Sequence, residues 1–185
     1  MNVLEAIYKR RSIRAYTAEE VDRSTVEALL QAAIQAPSAS NTQPWSFVIL
    51  QGQEKLKQYS DRAKAHLLKT MEPASLERFR DRLEDPEYSI FYGVGTLIVI
   101  CTRSDGKYAV GDCCFAAQNL MLAAYDLGLG TCAIGLSHSW LSLPEVKEEL
   151  GIAKEYQPVL PLIVGHPAGE VSPTPRQDPE ILVWR

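Results

Sequence analysis

At 185 residues, with 46% hydrophobic and 23% charged side chains, the chain has the size and composition of one globular domain with a real core. A net charge of −4 argues against a general nucleic-acid binder, which needs a broad basic surface. The most apolar runs, near 96–102 and 159–164, are far too short to span a bilayer, and four cysteines without metal or Cys-x-x-Cys spacing read as buried thiols in a reducing cytosol.

The chain begins Met1-Asn2-Val3-Leu4-Glu5 and turns charged too soon for the apolar core of a signal peptide. Residues 2–9 fit a short helix with Val3, Ala6 and Ile7 on one face. Arg10-Arg11-Ser12-Ile13-Arg14 follows, three guanidinium groups and a hydroxyl within five residues. In an extended chain Arg10, Ser12 and Arg14 share a side and Ile13 takes the other. One side can then hold a dianion while the other anchors the segment, because Arg forks match phosphate oxygens and a hydroxyl adds a donor. On spacing alone the segment is either a phosphate site or a solvated basic turn.

A second helix starts at a Ser24/Glu27 capping box, buries Val26, Leu29, Leu30, Ala33 and Ile34, and stops at Pro37. The loop 36–45, Ala-Pro-Ser-Ala-Ser-Asn-Thr-Gln-Pro-Trp, carries amides able to pair with a heterocycle edge, or is a plain polar turn. A strand is expected over 45–50, then helices over 54–71 and 75–83 separated by Pro73. The segment 54–92 reads as peripheral, either a lid or a solvated helical pair. Residues 96–101 predict a buried strand. Residues 110–127 predict a central helix, apolar almost all round and therefore buried, with Gln118 and Asn119 needing partners and Gly128 as its cap.

The run Gly128-Leu129-Gly130-Thr131-Cys132-Ala133-Ile134-Gly135 is not a Gly-x-Gly-x-x-Gly fingerprint; its small residues would let backbone approach a flat ligand. Residues 142–150 predict a helix with a Ser142/Glu145 capping box and Gly151 as its stop. Residues 158–165 predict a strand whose prolines favour an edge or a strand end. The tail ends in Ile181-Leu182-Val183-Trp184, an apolar strand that would dock on another subunit. His66, His138 and His166 lack paired spacing, Ser137-His138-Ser139 lacks a nucleophile elbow, and Cys113 and Cys114 show no metal pattern, so metal and nucleophile chemistry are disfavoured.

Taken together, the Arg10–Arg14 cluster, the loop from Pro37 to Trp45, the run from Gln118 to Gly135 and the tail Gly165-His166-Pro167 with Arg176 resemble the nitroreductase family of FMN-dependent oxidoreductases. The resemblance implies an α+β fold over 1–185: a single-domain, three-layer α/β/α sandwich with a mixed sheet, a terminal strand docking on the partner, and an obligate homodimer with two interface sites. It implies tightly bound FMN and NAD(P)H as co-substrate. Arg10, Arg11, Ser12, Arg14 and Arg176 would hold the phosphate and pyrimidine edge. Pro37, Ser38 and Asn41 would come from the other subunit. Ala133, Ile134 and Gly135 would line the ring, with the Gly135 amide facing N5. No side chain would be catalytic and no metal is expected. The implied activity is ping-pong hydride transfer to a nitroaromatic, quinone or activated alkene in the cytoplasm; the alternatives are a flavin store or sensor, or a dehalogenating or flavin-fragmenting relative. The chain lacks the larger insertion that many members carry before the final strand, and has Gly135 where some carry an acid. A reader of an NADPH 2′-phosphate would be one of Arg62, Arg78, Arg80 and Arg82.

Overall fold

The computed structural model describes residues 2–103, 105–169 and 171–185. In chain order the elements are α1 (Val3–Lys9), α2 (Arg23–Ala33), β1 (Trp45–Gln51), α3 (Gln53–Thr70), α4 (Pro73–Glu84), β2 (Thr96–Thr102), α5 (Ala109–Asp126), β3 (Gly130–Ala133), α6 (His138–Leu141), α7 (Pro144–Glu149) and β4 (Gln157–Gly165). Two 3-10 turns, Ala39–Asn41 and Gly135–Ser137, precede β1 and follow β3. The strands form one sheet in the order β1-β2-β4-β3.

Strand β2 explains the layering. It is buried throughout, and its period of two sends Leu97, Val99 and Cys101 to one core and Ile98 and Ile100 to the other. The first core is closed by α3 through Leu56, Tyr59, Ala63 and Leu67, with Trp140 and Val146 from α6 and α7. The second is closed by α2 through Val26, Leu29 and Ala33 and by α5 through Cys113, Ala116, Ala117, Leu120 and Ala124. Helices therefore cover both faces of the sheet.

Several expectations change. Every strand pair of the sheet is antiparallel, and among the described residues the parallel component is one bridge, Ser12 to Thr131. Strand β4 is central, not at an edge; Pro158 sits near the strand start beside a register shift opposite Ile100 and Cys101, whereas Pro161 lies in mid-strand opposite Val99. Helix α3 is a core layer and not a peripheral lid, because its apolar stripe faces the sheet. Helix α2 is capped by Asp22, whose carboxylate accepts from the Thr25 amide at 2.9 Å, and not by Ser24. Ser142 closes α6, its hydroxyl donating to the His138 carbonyl, while α7 begins on Pro144.

Helix α5 is not buried all round. The face turned from the sheet exposes Val110, Cys114 and Phe115. Gln118 is exposed too, and the Asn119 amide donates to the Ala32 carbonyl at 3.4 Å. Val3, Leu4, Ile7 and Tyr8 of α1 are also exposed, and Ala6 alone of that helix is buried. Residues 181–184 adopt no strand in the isolated chain, with Trp184 86% exposed.

Candidate active site

The arginine segment leaves α1 and runs beside β3. The Ile13 amide donates to the Thr131 carbonyl at 3.0 Å, next to the Ser12–Thr131 bridge. Gly130 makes this approach possible: a Cβ there would lie 2.7 Å from the Ile13 side chain. The close packing is thus against Ile13, and the anchor predicted for that residue is real. Further on, the Ala168 amide donates to Ala15 and the Thr17 amide to His166, both at 2.9 Å. Gly165 admits the Tyr16 ring, which a Cβ would meet at 2.9 Å, and the Tyr16 hydroxyl closes back on the Ile13 carbonyl at 2.9 Å. Residues 10–17 are thereby held along the outer edge of the sheet.

Arg11 points elsewhere than Arg10 and Arg14. Its Nη1 donates to the carbonyls of Tyr8 and Arg10 at 2.7 and 2.8 Å, satisfying orphan acceptors at the end of α1, and its buried Nε has no partner among the described residues. Arg10 is held below the usual guanidinium value, first by burial and then by the nearby charges of Arg11 and Arg176. Like charges therefore converge here, and none of these arginines has a carboxylate partner within salt-bridge range among the described residues. Among the described residues Arg176 donates only to the Thr174 and Pro175 carbonyls of its own tail, at 3.3 Å. A cleft of about 450 Å³ opens beside Lys9, Arg10, Arg11, Tyr125, Leu129 and Pro173.

The Ser12 hydroxyl and the charges of Arg14 and Arg10 bear on the Cys132 thiol, yet burial outweighs them and its titration is pushed up. Burial likewise pushes Cys101 to about 11 and Cys113 to about 12, so these thiols stay neutral at ordinary pH. Beyond Cys132, the Ile134 amide donates to Pro161 at 2.9 Å and its side chain enters the core, while Ala133 and Gly135 stay exposed. Nothing lies within 4 Å of where a Gly135 Cβ would stand, and the Gly135 amide donates to no group among the described residues. Parallel register carries Arg14 toward Ala133, so the cationic segment and this free backbone share one edge.

The loop with Pro37, Ser38 and Asn41 lies elsewhere. It is wound tightly, with Ser40, Asn41 and Gln43 at φ of 51°, 54° and 45°. Outside glycine the left-handed region costs on the order of 1–2 kcal/mol per residue, least for Asn. Internal bonds offset this: the Gln43 amide donates to Ser38 Oγ at 3.0 Å and the Gln43 side chain to Asn41 Oδ1 at 3.1 Å. The Ala39 amide donates to Asp112 Oδ2 at 3.2 Å, at the start of α5. Tyr125, beside the arginine cleft, is near the other end of that helix. At 1.5 Å per residue the two ends are roughly 20 Å apart. One chain does not bring Pro37, Ser38 and Asn41 to the arginines.

Of the four arginines considered for a 2′-phosphate, Arg62 forms a bidentate pair with Glu149 at 2.8 and 2.6 Å, Arg80 pairs with Glu84 at 3.3 Å, and Arg78 lies over Phe79. Arg82 alone of these four has no such partner among the described residues, and its charge reaches Tyr88, as does that of Arg14. Sequence reasoning missed Asp112. An acid inside an apolar helix was a visible signal, but its partner 73 residues away was not. Among the described residues no cluster of His, Cys, Asp and Glu is arranged to hold a metal, and no helix is long and apolar enough to cross a membrane.

This architecture, an α+β sandwich with a cationic cleft along its edge strand whose described lining carries no acidic side chain, has the fold of the flavin-type oxidoreductases among the solved structures it superposes on. The nitroreductase family model matches residues 7–166, and the chain belongs to that family. The FMN reductase [NAD(P)H] of Bacillus subtilis is 29% identical over 97% of this chain and 72% of its own length. A nitroreductase from Bacteroides fragilis, solved with bound FMN, is 25% identical with a TM-score of 0.87 over 100% of both chains. A nitroreductase from Desulfitobacterium hafniense, also solved with bound FMN, is 26% identical with a TM-score of 0.83 over 100% of both chains.

Proposed function

We propose that the chain, an FMN-dependent NAD(P)H oxidoreductase by family, works as a homodimer that passes hydride to a nitroaromatic, quinone or activated alkene by a ping-pong route. The observation that carries this reading is the convergence of Arg10, Arg11 and Arg176 beside an open cleft whose described lining residues include no acid. Such a cluster is costly unless a dianion fills it, and each charge-assisted hydrogen bond to phosphate contributes about 1.5–3 kcal/mol. FMN, when bound, supplies the acceptance of hydride from NAD(P)H and its donation to the second substrate.

The chain's own residues bind and orient. Arg10, Ser12 and Arg176 hold the phosphate, and Arg11 fixes the end of α1 from which they project. Arg14 offers positive charge to the pyrimidine edge. Ala133, Ile134 and Gly135 line the ring by backbone, with the free Gly135 amide available at N5. No side chain is needed as acid, base or nucleophile. The exposed apolar faces of α1 and α5 and the residues 181–184 are covered by the second chain, whose Pro37, Ser38 and Asn41 complete the site. We place the protein in the cytoplasm, as one domain over 1–185, on the strength of its free thiols, of which Cys101, Cys113 and Cys132 are buried and Cys114, against expectation, is exposed, and of its two continuous cores.

The test is an FMN titration of the protein and of the Arg10→Ala/Arg14→Ala double variant, with steady-state NADH and NADPH oxidation against each acceptor class. The wild type should bind FMN and give parallel double-reciprocal lines, and the double variant should release FMN. Full FMN occupancy in the double variant would defeat the phosphate assignment. FMN binding without NAD(P)H turnover would return the protein to a flavin store.

A further inference from the structure

The loop that presents Pro37, Ser38 and Asn41 is bound to the rest of its chain by very little. Among the described residues, the bond from the Ala39 amide to Asp112 is the one hydrogen bond joining residues 37–43 to another element; the others close within the loop. Asp112 is 4% exposed, within the first turn of α5. Pro37, Ser38 and Ala39 meet Tyr108, Asp112 and Phe115 around a small open pocket of about 280 Å³, in which the carboxylate is the charged group of a largely apolar seat. A buried carboxylate in such a place needs a donor, and a loop with three left-handed residues needs an external fix.

From this we infer that Asp112 is a positioning residue for the half of the FMN site that each chain donates to its partner. The inference rests on the homodimeric reading above. Asp112 touches neither cofactor nor substrate. By accepting from Ala39 it fixes where Ser38 and Asn41 stand, at the far end of α5 from its own chain's arginines. An apolar residue at 112 would leave the Ala39 amide unsatisfied and free the loop to sample other conformations.

The experiment compares Asp112→Ala, which deletes the acceptor, with Asp112→Asn, which keeps an oxygen there. FMN dissociation constants, sedimentation and thermal melts of the apo proteins are measured beside wild type. Loss of one such bond should weaken FMN by about tenfold in Asp112→Ala, with Asp112→Asn close to wild type and the dimer retained in both. Rescue by Asn separates loop positioning from a general need for the side chain. Wild-type affinity in Asp112→Ala, or equal loss in both variants, would overturn the inference. Should Asp112→Ala fail to fold, Ala39→Pro removes the donor instead; Ser38 before it is already extended, at φ −139° and ψ 151°, as proline requires of its predecessor. That variant should also weaken FMN, and unchanged affinity would overturn the inference. If wild type binds no FMN, the functional reading itself falls. If wild type binds and the variants match it, only the role of Asp112 falls.

Discussion

Gly130 shows what a residue can and cannot announce. Its smallness was visible in the sequence and rightly suggested a close approach, but spacing along a chain does not say what approaches. The visitor is Ile13, and the consequence is that Arg10, Ser12 and Arg14 are aimed by a glycine more than 110 residues away. Gly130→Ala would place a methyl 2.7 Å from Ile13 and push the segment off the edge strand. We expect a loss of about 1–3 kcal/mol in urea denaturation together with weaker FMN binding. Wild-type stability and affinity would mean that Ile13 is not held as described. Asp112 carries the same lesson, since an acid in an apolar helix is legible while its partner across the fold is not.

At the scale of elements, strands and long helices followed from periodicity, whereas caps did not. Helix α2 was expected to start on Ser24, but Asp22 stands two residues before it, and a carboxylate outcompetes a hydroxyl because it accepts several bonds at once. Asp22 takes the Thr25 amide and the hydroxyls of Ser24 and Thr25, and these bonds hold its carboxyl well below the ordinary 3.8. A lowered value in the folded state means stability present above the unfolded value and lost as pH falls through the folded one. Asp22→Ala should therefore melt below wild type near neutrality, with the gap closing as the pH drops below about 3.8. Thermal melts taken down to about pH 2 decide this; a gap that stays constant would show that the cap does not act through its charge. Helix α3 differs for another reason: the stripe of Leu56, Tyr59, Ala63 and Leu67 is legible at helical spacing, but the spacing does not say whether it closes the sheet core or the underside of a peripheral lid.

The whole molecule was legible as an α+β chain of the nitroreductase kind because its signals are spread over nearly its full length. What the sequence concealed was which apolar surface closes the chain's own core and which stays exposed in the single chain. Helix α5 reads as buried on every side, and in the isolated chain it is not, since one face meets the sheet and the opposite face exposes Val110 and Phe115. The α5 axis also separates the two halves of the proposed FMN site, with the arginine cleft near one end and the Asp112-bound loop at the other. That separation has a genetic corollary. A chain disabled at Arg10 and Arg14 keeps a sound loop, and a chain disabled at Asp112 keeps sound arginines. When the two are unfolded and reassembled together, each mixed dimer contains one site built wholly from intact halves and one built wholly from damaged halves. At an FMN concentration between the dissociation constants of wild type and the Asp112 variant, where neither parent fills its sites, random pairing should restore about a quarter of them. Such intragenic complementation would appear as recovered flavin absorbance on mixing, and its absence would mean that each chain builds its site by itself.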